Sequence, residues 1–419
     1  MHERPRSGHR RSVSIEVSGP ARASRSDISP VQVGIFAAAC GLAVANIYYS
    51  QPLIGLMGPA LGLRPGLAGL IVALTQLGYG AGLLLLVPLS DVFENRALVI
   101  RALGAVTLGL IAIALSNSAM TLLLASFVVG VFSVATQILV PFASHLAPES
   151  SRGRVVGAVM SGLLGGIMLA RPFSSYIAAT LGWRAVFYIS AGMILTLLML
   201  LRRVLPQRQP DSTLTYSQIL RSLPVLVTRI PLLRRRAFYQ GMMFAGFNLF
   251  WTGAPLLLAN EFGMGQRGIA LFALAGAAGA LSAPVAGRLA DRGLTRPATG
   301  WALVAAVLAF GVAIEARLIH SLSLLILAAL ILDAAVQVCQ VLSLRSIYML
   351  APQLRGRLNG LFVAFAFLCG AAGSGLAAAV YTSRGWTTVA AVGALCAGAA
   401  LAQFGTEFRR ESRRLLFPT

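Results

Sequence analysis

The sequence contains no lysine. All 34 of its basic residues are arginine, and only 13 Asp and Glu oppose them. Charged residues make up 11% of the 419-residue chain, where a soluble domain carries about 25%. So little charge cannot cover a hydrated surface, which excludes an ordinary water-soluble enzyme. The 57% hydrophobic content and the mean hydropathy of +0.79 exclude a disordered chain. Cysteine is scarce: Cys40, Cys339, Cys369 and Cys396 all lie in apolar runs and none forms CxxC. They read as small packing residues, not as a disulfide framework or a zinc site. His2, His9, His145 and His320 are too scattered for a metal cluster. No GxxxxGK[ST] phosphate loop is present, so the chain does not itself use ATP. HExxH, GxSxG with a His partner and paired intramembrane Asp are also missing, which argues against a membrane-embedded enzyme. No cofactor or metal is implied.

What is there is apolar length. A helix needs about 20 apolar residues to cross the hydrocarbon core. Twelve runs reach this, at 31–56, 66–90, 97–115, 119–146, 154–180, 183–201, 237–259, 268–290, 297–316, 321–344, 357–382 and 386–405. They are continuous and do not alternate with period two, which rejects a β-barrel. The spacing predicts an all-α membrane protein of two six-helix bundles, over 31–201 and 237–405. A polar linker at 202–236 divides them. Residues 1–30 read as a disordered cytoplasmic tail in which Arg10-Arg11 has no apolar region behind it, and 406–419 as a second cytoplasmic tail.

The arginines report topology. With the N-terminus in the cytoplasm, the cytoplasmic segments hold 28 Arg and the opposite loops hold five, namely Arg64, Arg184, Arg267, Arg317 and Arg384. That asymmetry predicts a multi-pass inner-membrane protein with both termini inside. The net charge of +21 is then mostly a topology signal, and no nucleic-acid partner is expected.

The two halves repeat. Arg152-Gly153-Arg154 with Gly157 recurs as Arg355-Gly356-Arg357 with Gly360, and Gly182-Trp183 recurs as Gly385-Trp386, each 203 residues on. Ala147-Pro148 recurs as Ala351-Pro352, and Asp91 with Arg96 as Asp291 with Arg296. A duplicated six-helix unit of this kind is a transporter architecture.

The stretch from 31 to 405 resembles the major facilitator superfamily. Gly287-Arg288-Leu289-Ala290-Asp291-Arg292-Gly293, with Arg296, looks like the family's loop signature between the second and third helix of a half. Pro88-Leu89-Ser90-Asp91, with Arg96, looks like a degraded copy that has Val87 in place of Gly. Ala45 to Leu53 and Gly162 to Pro172, followed by Gly182-Trp183-Arg184, are similar to the drug:proton antiporter and arabinose-efflux-like group. The resemblance implies alternating access and a charge network at the loops formed by Asp91, Arg96, Asp291, Arg292 and Arg296. It implies a secondary transporter exporting a small organic compound in exchange for protons, with uptake or facilitated diffusion as the alternative. A monomer is the default.

Ionisable groups inside a membrane are costly and functional by default. Asp333 falls midway along the tenth run and is the proton-coupling candidate; a structural hydrogen bond or a pair with an Arg is its other reading. Arg171 falls past the middle of the fifth run. It can anchor an anionic substrate group or form a fixed ion pair. Asp333, Gln337 and Gln340 share one helical stripe, and Gln137 stands 203 before Gln340. The resemblance implies that spans one, four, seven and ten line the cavity, which adds Asn46, Tyr49 and Asn248 to the cavity candidates. Gly162 and Gly166 form GxxxG and are expected at the interface of the halves.

Overall fold

The computed structural model of the chain describes residues 28–210, 214–350 and 354–416. The tail expected over 1–30 lies outside them as far as Asp27, as do Ala351-Pro352 of the repeat and the last three residues of 406–419.

The chain is all-helical. Its helices are α1 Pro30–Ala45, α2 Ile54–Ala60, α3 Leu70–Leu85, α4 Asn95–Leu115, α5 Ala119–Phe132, α6 Ala135–Leu146, α7 Arg152–Leu181 and α8 Trp183–Val204. After these come α9 Tyr216–Arg229, α10 Pro231–Asn260, α11 Gln266–Ala277, α12 Ala283–Asp291, α13 Thr295–Leu318, α14 Leu322–Tyr348 and α15 Arg355–Leu416. Among the described residues nine stretches are long and apolar enough to cross a membrane. The twelve expected spans are accounted for by three local features. The first span is broken between α1 and α2 by turns through Gln51–Leu53. The eighth is broken into α11 and α12 by a tight turn at Ala278–Ser282. The last stretch joins two spans that meet at Gly385.

That junction explains one sequence repeat. Gly385 has φ 76° and ψ −178°, and Gly182 between α7 and α8 has φ 84° and ψ 161°. This backbone region is essentially closed to residues with a Cβ. Each glycine reverses the chain between two spans and delivers the next residue, Trp183 or Trp386, into the core. Trp386 donates from Nε1 to the Ala313 carbonyl at 2.9 Å.

The halves are built alike. In the first, α1 packs on α7, α3 on α5 and α4 on α8. In the second, α10 packs on α15, α14 on α13 and on the broken eighth span, and α13 also on α15. The seam between halves is made by α3 against α15 and by α7 against α11.

The GxxxG stripe serves a different contact from the one expected. A Cβ on Gly166 would collide with the Gly41 carbonyl, and one on Gly162 with the Ala37 carbonyl. Gly162 and Gly166 thus seat α7 on α1 inside the first half, where two backbones touch.

The connection between the halves is not only polar loop. It carries α9, which buries Ile219 and Leu223 and touches both halves. Tyr216 donates from its hydroxyl to the Leu85 carbonyl at 2.9 Å. Ahead of α9 the chain is strapped to the first half. Glu94 caps α4 by accepting from the N–H groups of Arg96 at 2.9 Å and Ala97 at 2.7 Å. It also accepts from the Arg208 N–H at 3.2 Å, while the Asn95 N–H donates to the Arg208 carbonyl at 3.0 Å.

Candidate functional site: a cavity on the seam between the halves

A cavity of about 530 Å³ lies on the seam. Small-molecule sites span roughly 300–1,000 Å³, so it has room for an organic compound. Its wall is mostly apolar, with Leu163, Met168, Phe244 and Phe367 among the lining residues. It runs from Arg171 and Asp333 at its depth to Asp91, Arg208 and Arg357 at the face that carries the chain ends.

Arg171 is 3% exposed and Asp333 is 7% exposed. Such charges persist inside a membrane protein only where partners replace water. Trp251 links the two. Its Nε1 donates to Asp333 Oδ1 at 2.7 Å, and its ring lies 4.5 Å from the Arg171 guanidinium carbon. Tyr48 and Phe247 add two more ring faces, each at 5.1 Å. A guanidinium packed among aromatic faces is stabilised by their quadrupoles. Arg171 Nε donates to Gln51 Oε1 at 2.7 Å, which uses one edge of the fork. Its Nη2 is buried and has no hydrogen-bond partner among the described residues.

Beyond this group the cavity is closed by a hydrogen-bonded plug of side chains from both halves. Gln51 Nε2 donates to Asn248 Oδ1 at 3.1 Å and to Thr252 Oγ1 at 3.3 Å. Gln76 Nε2 donates to the same Asn248 oxygen. Ser374 Oγ reaches Gln76 Oε1 and Asn248 Oδ1, both at 3.4 Å. All five residues are buried. Irregular backbone at 46–53 is what lets Gln51 turn across the seam, and such backbone is tolerated at membrane depth only where protein surrounds it.

Of the cavity candidates read from the sequence, Asp333, Arg171, Gln137, Gln337 and Gln340 line the wall. Gln137 also crosses the seam: its Nε2 donates to the Tyr79 hydroxyl at 3.1 Å, and its Oε1 accepts from Asn359 at 3.3 Å. Asn248 lies behind the wall, in the plug. Asn46 and Tyr49 are not on it. Asn46 accepts from the Ser190 hydroxyl at 2.7 Å and returns its amide to the Leu42 carbonyl at 3.0 Å, which ties α1 to α8. Tyr49 packs on Phe173 with ring centroids 5.8 Å apart. The broken helix rotates these two away from the cavity and turns Tyr48 toward it.

At the loops, Asp291 pairs with Arg345 of α14, and Arg292 beside it is exposed. Arg96 donates to the Arg202 carbonyl at 2.6 Å instead of meeting Asp91. Asp91 stands at the rim beside Arg208 and Arg357. Arg296 is half-buried at the start of α13.

The sequence reading passes over Asn359, Ser374 and Glu94. Ser374 is a single small polar residue in a run of Gly and Ala, and Asn359 lies just before Gly360 of the Arg355-Gly356-Arg357 repeat, which draws attention to its neighbours instead. Glu94 had a signal, since an acidic residue just before an apolar run is a helix-start pattern. Burial pulls the Glu94 carboxyl up, but three backbone N–H donors and the Arg96 charge outweigh it and hold it below the usual carboxylate range.

The sequence matches the Major Facilitator Superfamily over residues 34–314 and again over 237–415. It is 38% identical over 387 residues to the putative uncharacterized transporter YgaY of Escherichia coli K12, covering 92% of this chain and 98% of that one. It is 32% identical over 262 residues to the probable transporter SCO4007 of Streptomyces coelicolor, covering 62% of this chain and 60% of that one. The fold is similar to the crystal structure of the human organic anion transporter MFSD10 (TETRAN), with a TM-score of 0.65 and 18% identity over 90% of this chain and 99% of that one. It is also similar to a mutant form of the nucleoside transporter NupG, with a TM-score of 0.69 and 13% identity over 89% and 98% of the two chains. The chain is therefore a multi-pass membrane transporter, not an enzyme, and it belongs to the Major Facilitator Superfamily.

Proposed function

We propose that the chain is a proton-coupled secondary transporter that moves a small organic compound across the inner membrane by alternating access. The observation that carries this reading is the seam cavity, which reaches the face with the chain ends and is shut at its depth by the plug around Gln51 and Asn248. With both termini in the cytoplasm, as the arginine asymmetry implies, this is an inward-facing state. Opening the plug and closing the rim would expose the same site to the other side. Among the described residues Asp333 is the one buried carboxylate on the cavity wall and the group that would carry the proton.

Two senses of transport follow from two different observations. The resemblance of the first and fifth spans to the drug:proton antiporter group supports export in exchange for protons. The buried guanidinium beside a buried carboxylate supports uptake with a proton, because the pair holds one positive charge for an anion only once Asp333 is protonated. The test is purified protein in liposomes with an internal pH dye, and single additions of cationic drugs, sugars, nucleosides, amino acids and organic acids. Substrate-dependent proton flux in the wild type, absent from Asp333→Asn, supports coupling. Opposite movement of substrate and protons means exchange, and parallel movement means co-transport. Substrate movement without proton flux leaves a facilitator.

A further inference from the structure

Arg171 is the buried cation on the cavity wall, and its hydrogen bonds are incomplete. Nε is committed to Gln51, and three aromatic rings pack around the guanidinium. Nη2 is buried without a partner, so a donor is desolvated and unsatisfied. Leaving such a group unmade is costly, and more so for a charged one. Asp333 stands close by but gives an oxygen to Trp251 and does not contact the guanidinium. Arg171 lines the cavity, so the site places a guanidinium with incomplete hydrogen bonding at a wall that is otherwise largely apolar.

We propose that the cavity takes a monocarboxylate with an apolar body, its carboxylate accepting from the Arg171 guanidinium, and that it binds together with a proton on Asp333. The charge count sets the second half. One guanidinium balances one negative charge in a site that excludes bulk water. A bound carboxylate beside an ionised Asp333 leaves a buried excess of one negative charge. Protonating Asp333 removes it. Among the described residues the ionisable groups that face Asp333 are Arg171 of α7 and Tyr48 of the break after α1. From α10 it meets Trp251, and the turn 278–282 that packs on it has no ionisable residue. The charged residues of α11, α12, α13 and α15 stand near the ends of those helices or, for Arg384, at the Gly385 junction, and the Cys369 thiol lies against Gly241. At the depth of the cavity a dicarboxylate meets one guanidinium only, and a cation meets the Arg171 charge.

This inference rests on the proposed transport function and selects its co-transport form. The test uses the full chain with three probes of one shape: 2-naphthoate, 2-naphthamide and 2-naphthylmethylamine. Equilibrium binding is measured at about pH 6, 7 and 8. The carboxylate is expected to bind at least about tenfold more tightly than the amide or the amine, as a charge-assisted bond requires. Its affinity is expected to rise as pH is lowered across this range, by up to about tenfold per pH unit, the limiting slope of one linked proton. In Asp333→Asn the carboxylate still binds and the slope vanishes; in Arg171→Gln its advantage over the amide is lost. These comparisons among probes in the wild type stand even where a variant fails to fold. Preference for the amide or amine, a flat pH response in the wild type, or no binding of the carboxylate overturns the inference. Amide or amine moving with proton flux in liposomes overturns it while the transport reading stands. Carboxylate binding of the expected kind without movement across the bilayer overturns the transport reading and leaves the site.

Discussion

Gln51 donates to Asn248 at 3.1 Å, joining the first span of one half to the first span of the other. The Asn248 oxygen also receives Gln76 and Ser374, so one acceptor gathers three side chains from both halves. Asn248→Ala removes that acceptor and strands buried amide donors, at about 1–3 kcal/mol for an unsatisfied group. Hydrogen bonds between membrane helices average only about 0.6 kcal/mol each, so the stranded donors dominate the cost. A cysteine placed by Ser374→Cys reports the result. Its labelling by an impermeant maleimide from the side opposite the chain ends should speed up several-fold in the Asn248→Ala background. Unchanged labelling would mean that the plug is held by packing alone.

Trp251 serves Asp333 with its N–H and Arg171 with its ring. Trp251→Phe keeps a ring and deletes the donor. We expect the variant to fold and insert, with proton-coupled flux reduced about tenfold, the value of a hydrogen bond to a charged group. Trp251→Leu loses both contacts and should be worse. Equal losses in the two variants would assign the role to ring volume and not to the N–H.

The glycines that end α7 and precede Trp386 share a backbone region that other residues avoid. Gly182→Ala and Gly385→Ala should each destabilise the protein by about 1–3 kcal/mol. No atom stands within 4 Å of the added Cβ at either position, so the cost is backbone strain and not a clash. Thermal unfolding in detergent checks this. A melting temperature within a degree of the wild type in both variants would contradict it.

Glu94 caps α4 and holds Arg208 of the linker. Glu94→Ala should cost about 0.5–2 kcal/mol through the lost cap. Because the folded carboxyl is held below its ordinary value, its stabilisation is present above about pH 4.3 and is lost as pH falls through the folded value. The gap between wild type and variant melting should therefore close only in acid, below about pH 4. A gap that closed toward alkaline pH would have the wrong sign.

Asp291 and Arg345 form an ion pair whose side chains are 68% and 42% exposed. An exposed pair contributes at most about 1 kcal/mol, so Asp291→Asn should leave stability nearly unchanged. If the pair belongs to a gate, turnover slows and substrate affinity does not move. A changed affinity at constant turnover would remove Asp291 from gating.

Local composition alone determined that this chain is helical, lies in a membrane, crosses it twelve times and is a duplicate of six helices. Apolar run length, arginine placement and the paired Gly-Trp and Arg-Gly-Arg repeats are properties of neighbours along the chain. They also marked Asp333 and Arg171, because a charge in an apolar run is visible without a structure. Tertiary structure decided which polar residues face one another. Asn46 and Tyr49 look equivalent to Tyr48 and Gln51 by sequence, yet the break between α1 and α2 turns the first pair toward α7 and α8 and the second toward Arg171. Asn248 joined the plug because Gln51 and Gln76 reach it from the other half. Gly162 and Gly166 met α1 and not the second half, since a GxxxG stripe records that a backbone comes close but not whose. Helical periodicity fixes a residue's direction only within an unbroken helix, and contacts across the seam link residues about 200 positions apart, which no local pattern encodes.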